Sequence, residues 1–360
     1  MMKKMESSKT YIEDLYFILK DSNIDFNFFR NCSIFISGAT GLIGSTLIKT
    51  FLLANQKFDL NLIIYGLARD EQKVKMVYGD INDCAFKIIY GDVTSPYEVY
   101  LPPNTLINYI FHTANVTSSK NMITYPVHTI LTAIEGTNQI LRMAVNKNIQ
   151  GMVYTSSMEM YGNFEKESGD GNNCTEECLG YIDPLKVRSN YPESKRMCEN
   201  LCIAYISEFN IPVKIARLSQ TFGAGILPWE NRVFAQFAKS VLSGRDIVLH
   251  THGKSEGNYC YLRDTIRGLL TILIKGNIAE AYNIVNEQAH TSIAEMAQMV
   301  CHRIAHGDIR VVYEIADNLG YATDTTLNLK GKKLESLGWR PSVGLEEMYR
   351  RTIAYLKELQ

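Results

Sequence analysis

The chain has 360 residues, 46% hydrophobic and 21% charged, and its 37 Lys+Arg against 38 Asp+Glu leave a net charge of -1. This is enough chain for a full core and two lobes, without the strongly basic face of a nucleic-acid binder. Apolar runs such as 269–274 are too short to span a bilayer.

The N-terminus, MMKKMESSKTYIEDLYFILKD, carries charges through its apolar stretch and has no signal-peptide cleavage site. It reads as an amphipathic arm or helix placed ahead of the first strand. From residue 33, apolar runs alternate with helical periods. Strands are predicted over 33–37, 62–66, 86–90, 109–112, 151–156 and 213–218, and helices over 42–54, 127–146 and 191–208. Strands separated by helices imply a doubly wound parallel sheet covered on both faces. Such sheets bind ligands at the carboxyl ends of their strands. The stretch 162–188, rich in Asn, Glu and Gly, reads as a long functional loop. Beyond 223 a helix over 232–242, a strand over 247–249 and a closing helix over 345–358 suggest a smaller α/β lobe. The expected division is an arm over 1–30, a mainly dinucleotide-binding Rossmann domain over 31–222 and a mainly substrate-binding lobe over 223–360. The absence of a Pro/Gly-rich linker predicts lobes that interleave and share an interface.

Three motifs carry the chemistry. In SIFISGATGLIGSTLI, Gly38, Gly41 and Gly44 follow a strand and open a helix. Glycines there let backbone N–H groups approach a pyrophosphate, and the helix N-terminus favours its charge. In TSSMEMYG, directly after the fifth strand, the Ser157 hydroxyl can hydrogen-bond a substrate oxygen, and Ser156 is the alternative that holds the backbone. In YPESK, Tyr191 and Lys195 are four apart and share a helix face. A lysine charge there stabilises tyrosinate and draws the phenol towards the working range of a base. The eight cysteines include no CxxC pair and no histidine at metal-ligand spacing. They read as reduced thiols of a cytoplasmic protein, and no metal is expected.

GATGLIG, spaced GxxGxxG, resembles the cofactor loop of the extended short-chain dehydrogenase/reductase superfamily, which includes the nucleotide-sugar epimerases and dehydratases. The three motifs occur in that superfamily's order. RLSQTFGAG, NYCYLRD and LGWRPSVGLEEMYRRTIAYLKE resemble its later segments, so the likeness covers about residue 32 to the C-terminus. The resemblance implies NAD or NADP held by Gly38, Thr40, Gly41, Leu42, Ile43, Gly44, Asp92, Val93, Thr113, Ala114, Tyr191 and Lys195. Ala68 stands where relatives have the Asp that binds the ribose of NAD. Arg69 follows, and its forked cation suits the 2′-phosphate of NADP, an inclination that Asp70 tempers. The implied substrate is a nucleotide-diphosphate sugar, oxidised transiently at C4. Tyr191 would be the base, Lys195 would tune it, Ser157 would orient the hydroxyl and Glu159 would handle the proton next to the ketone. Glu159 suits a 4,6-dehydratase or a UDP-glucuronate decarboxylase, whereas a simple epimerase needs no such base.

Four further residues depart from the pattern. Met158 stands where glucose-type dehydratases carry the Asp that protonates a leaving hydroxyl, and where the decarboxylases and GDP-mannose dehydratases carry Ser; methionine departs from both and donates no proton. Ala133 replaces an Asn. Gln220, a candidate substrate-binding residue, also stands where Asn is usual. Gly257 replaces the Arg that grips the diphosphate, a role left to Arg232, Arg263 or Lys254. The implied assembly is a homodimer through the second and third of the predicted helices. The alternatives are an NADP-dependent carbonyl reductase of the same superfamily and a non-catalytic dinucleotide sensor.

Overall fold

The structure, a computed structural model, describes residues 8–79, 83–164, 173–315 and 324–360. The middle of the expected loop over 162–188 therefore lies outside the described residues. The strands are β1 (Ser33–Ser37), β2 (Ile63–Ala68), β3 (Phe86–Tyr90), β4 (Tyr109–His112), β5 (Gly151–Ser157), β6 (Val213–Leu218), β7 (Gln220–Phe222), β8 (Ile247–Leu249), β9 (Glu256–Tyr261), β10 (Ala281–Ile284), β11 (His290–Ser292) and β12 (Val311–Tyr313). The principal helices are α1 (Lys9–Leu19), α2 (Leu42–Phe58), α3 (Glu71–Tyr78), α4 (Pro126–Asn146), α5 (Asn190–Phe209), α6 (Val233–Ser243), α7 (Leu262–Lys275) and α8 (Leu345–Glu358).

Seven strands form one parallel sheet in the order β3-β2-β1-β4-β5-β6-β10. This is the Rossmann-type doubly wound sheet expected from the alternation of strands and helices. Alternation along β1 shows why both faces are covered. Ile34 and Ile36 join a core with α1, α2, α7 and α8. Phe35 points the other way, into a core with α4 and α5. The order reverses between β1 and β4, so the loops leaving those strands open a crevice at the carboxyl edge.

Two differences from the predicted elements have clear causes. Leu67 and Ala68 continue β2 because Ser37 and Tyr90 are there to pair with them. That makes Arg69 the first residue past the strand. β10 had no sequence signal, and it lies in the main sheet beside β6. The smaller sheets are β11-β9-β7 and β12-β8. Among the described residues, no helix is long and apolar enough to cross a membrane.

Helix α1 is anchored from several sides. Tyr11 Oη donates to Thr46 Oγ1 at 3.1 Å on α2. The buried Asp14 accepts from Tyr261 Oη at 2.6 Å and pairs with Arg263 and Arg351 at 3.0 and 2.9 Å.

Candidate active site

The glycine loop is shaped by what lies across it. Gly38 has φ +71°, and a Cβ there would sit 2.9 Å from both the nitrogen and Cα of Ala114. Only glycine combines that conformation with that approach. A Cβ at Gly44 would run into the Gly38 carbonyl oxygen. Gly41 caps α2 with no side chain over the helix end. The first N–H groups of α2, at Leu42, Ile43 and Gly44, are therefore open to a ligand, and a diphosphate fits this cradle. Thr40 lies on the same turn.

The β4 end is pinned to the loop. Ser37 Oγ accepts from the N–H groups of Thr113 and Ala114 at 3.0 and 3.1 Å, and Thr113 Oγ1 donates to Ser37 O at 2.6 Å. With two donors already received, the Ser37 hydroxyl gives its own proton to His112 Nδ1 at 2.7 Å. Nε2 then donates to Thr137 Oγ1 at 3.1 Å. His112 is neutral in this arrangement, and burial followed by the Lys195 charge holds its pKa down at about 3.

At the other end of the crevice, Arg69 Nη1 pairs with Asp92 Oδ2 at 3.3 Å. Burial raises the Asp92 pKa, but hydrogen bonds from Thr94 and Arg69 outweigh it and the carboxyl stays below its usual range. Val93 is buried against Gly136. Asp70 is taken up as the cap of α3, accepting from Lys73 N at 3.0 Å.

Ser157, Glu159, Tyr191 and Lys195 come together at the end of β5. Ser157 Oγ accepts from Glu159 N at 3.2 Å, and its hydroxyl lies close enough to the Tyr191 phenol to lower its pKa. Tyr191 is buried in the first turn of α5. Lys195 Nζ, one turn on, donates to Thr155 O at 2.6 Å and lies 5.8 Å from the Tyr191 ring centre. Burial lowers its pKa to about 8.

Three expectations need correcting. Burial holds the Tyr191 phenol above its ordinary pKa, with Glu159 adding to the rise, and outweighs the pull of Ser157, Arg188 and Arg232. The lysine is itself buried, and its ammonium is turned to a backbone carbonyl. The Ser156 hydroxyl is buried and makes no hydrogen bond, and it is Thr155 that holds the backbone, donating to His112 O at 2.8 Å. Arg263, one of the three cations offered for the diphosphate, is paired with Asp14 on α1 at 3.0 Å.

Several residues of the site had no sequence signal. Arg188 Nη2 lies 2.8 Å from Glu159 Oε2. Arg196 donates to the carbonyls of Met160, Tyr161 and Gly180 at 2.7, 3.2 and 2.7 Å, clamping the short turn that carries Glu159. Arg217 pairs with Glu199 at 2.8 Å in a buried contact and donates to Tyr161 Oη at 3.0 Å. Only the tertiary structure gathers these arginines, since their partners are distant in the chain.

Arg232 precedes α6, pairs with Glu230 at 2.8 Å and acts on the Tyr191 phenol. Gln220 is half-buried at the start of β7, in register with Tyr259. Met158 is buried with Met160, Tyr161 and Val285, and its methyl lies against Gly257. Ala133 is buried, and its carbonyl accepts from Cys198 Sγ at 3.3 Å. Lys254 is exposed. Among the described residues, no group of His, Cys, Asp and Glu is placed to hold a metal.

The profile of the NAD dependent epimerase/dehydratase family matches residues 34–285. The chain is 28% identical over 329 residues to UDP-glucuronic acid decarboxylase 1 of Xenopus tropicalis, covering 91% of this chain and 73% of that protein. It is 29% identical over 322 residues to UDP-glucuronic acid decarboxylase 3 of Arabidopsis thaliana, covering 88% and 86%. Its fold resembles that of UDP-glucuronic acid 4-epimerase from Bacillus cereus, solved with UDP-glucuronic acid and NAD. The TM-score is 0.72 at 20% identity, over 91% of this chain and 100% of that one.

Proposed function

The chain belongs to the NAD dependent epimerase/dehydratase family, and from that premise we propose that it decarboxylates a nucleotide-diphosphate hexuronate. The family and the relatives support an enzyme of nucleotide-sugar epimerase/dehydratase type over the carbonyl reductase or the dinucleotide sensor.

The observation that carries the reading is the grouping of Ser157, Glu159, Tyr191 and Lys195 beside Met158. Tyr191 takes the proton of the sugar's C4 hydroxyl, and Ser157 orients that hydroxyl. Lys195, fixed by Thr155 O, keeps a cation under the tyrosine. NAD bound at the glycine cradle would accept the hydride from C4 and later return it. A ketone at C4 makes a C6 carboxylate a β-keto acid. The C5–C6 electron pair then moves towards C4, carbon dioxide leaves, and C5 takes a proton from the side of Glu159. Elimination of a C6 hydroxyl needs a proton donor that Met158 does not supply. The named relatives act on UDP-glucuronic acid, which agrees with an acidic sugar.

Three finer points belong to the same proposal. Arg69 is more than half exposed, and an ion pair this exposed is worth at most about 1 kcal/mol. Its guanidinium can turn to the 2′-phosphate of NADP, so affinities for NAD and NADP are to be compared directly. Val127, Leu131, Met197 and Ile203 are exposed on α4 and α5, and we assign that face to a homodimer that light scattering would detect. All eight cysteines are free thiols, in keeping with a cytoplasmic enzyme.

The test is mass spectrometry of products from UDP-glucuronate, UDP-glucose and dTDP-glucose, with no reductant added. Loss of carbon dioxide from UDP-glucuronate is expected. Loss of water, or an unchanged mass at a new retention time, would replace the decarboxylase with a dehydratase or an epimerase. Turnover only of a carbonyl compound with NADPH would make it a reductase.

A further inference from the structure

The pair Arg188–Glu159 stands at the reacting end of the site. Arg188 lies in the short turn Val187–Ser189, which runs directly into α5 and places Tyr191 three residues on. Its Nη2 is 2.8 Å from Glu159 Oε2, and Glu159 N in turn donates to Ser157 Oγ. The side chains are 20% and 33% exposed, so a ligand beside Tyr191 can reach both. Both charges act on the Tyr191 phenol, with opposite sign.

We propose that Arg188 is a specificity residue that takes the carboxylate of an acidic sugar, releasing Glu159 as it does so. This deepens the decarboxylase reading and rests on its acidic substrate. A guanidinium fork holds one carboxylate as well as another. A hexuronate therefore exchanges with Glu159 at little cost, because the partner gained is the same chemical group as the partner lost. A neutral hydroxymethyl group brings no charge and leaves the ion pair closed.

The exchange also prepares Glu159. Freed from Arg188 and set beside a second carboxylate, it gains affinity for a proton. That proton comes from solvent. When the C5–C6 bond breaks and carbon dioxide departs, the electron pair left at C5 takes it. One proton is consumed and one carbon dioxide is released, so the step balances.

The experiment measures binding of UDP, UDP-glucose and UDP-glucuronate to the cofactor-loaded full chain by titration calorimetry, for wild type, R188K and R188Q. Wild type should prefer UDP-glucuronate to UDP-glucose. R188Q should weaken UDP-glucuronate at least tenfold while leaving UDP within twofold, and R188K should restore part of the loss. Equal weakening of all three ligands, or no change for UDP-glucuronate, overturns the assignment. Melting temperatures of the variants identify misfolding, and R188K then decides by the same criterion. If wild type prefers UDP-glucuronate through Arg188 yet releases no carbon dioxide, the recognition stands and the decarboxylase reading falls. Equal affinity for the acidic and the neutral sugar nucleotide overturns the recognition whatever the reaction. Absence of binding to any of the three overturns both.

Discussion

A Cβ at Gly257 would lie 3.2 Å from the methyl carbon of Met158. The two positions are 99 residues apart in the chain, yet each occupies space the other's larger alternative would need. Met158 is itself held by Met160, Tyr161, Val285, Leu327 and Leu329. An arginine at 257 would have to displace that methionine, whereas Arg232, just ahead of α6, acts on the Tyr191 phenol from another element.

The coupling predicts a mutant cycle. Gly257→Ala should cost about 1 kcal/mol or less, because a flexible methionine end can shift by a few tenths of an ångström. Gly257→Arg should cost more, and adding Met158→Ser should recover roughly 1 kcal/mol. Denaturant unfolding of the four chains measures this, and additive effects would show that the two residues do not compete.

Tyr191→Phe keeps the buried ring and removes the proton acceptor. Turnover should fall by about 10²–10⁴ with a near-normal melting temperature. Unchanged turnover in steady-state assays would remove Tyr191 from the mechanism.

Gly44→Ala sets a methyl against the Gly38 carbonyl oxygen and within 3.0 Å of Thr113 Oγ1. The cradle and the β4 end should separate, and nucleotide affinity should drop at least tenfold. Titration with NAD, monitored by protein fluorescence, reads this directly. Undiminished affinity would place the cofactor elsewhere.

Lys195 makes stability depend on pH in a calculable direction. Its pKa falls from 10.5 to about 8 on folding, with burial the main cause. Between those values the unfolded chain holds a proton that the folded chain has released, so this residue's contribution improves as pH rises through that window. Below about pH 8 the cost of the buried charge is fully present. The stability of wild type minus that of Lys195→Met should therefore rise by about 3 kcal/mol from pH 7 to 10.5. Denaturant titrations across that range measure the difference, and a flat difference would mean that Lys195 is not perturbed.

Glu199→Gln leaves the Arg217 guanidinium buried without its counter-charge, although Tyr161 Oη and Glu176 O still accept from it. The loss should be about 3–5 kcal/mol. A loss under 1 kcal/mol in chemical denaturation would indicate that water reaches the arginine.

The parallel sheet and the meeting of Ser157, Tyr191 and Lys195 were legible in the amino-acid sequence. The reason is that each signal is local. A strand needs an apolar run, a phosphate turn needs glycines at set spacing, and Tyr191 and Lys195 need only one helical turn. The extent of β2 and the existence of β10 were not legible, because both depend on a neighbouring strand supplied from elsewhere. The partners of the charges were equally hidden. Arg188 meets Glu159 across 29 positions of chain, and Arg263 is claimed by Asp14 across 249. Sequence determined which chemical groups the chain carries and the local frame that presents them. Tertiary packing alone decided which charges neutralise one another, how far burial shifts Tyr191, Lys195 and His112, and which cations are left for a ligand, because those energies depend on distance and desolvation in three dimensions.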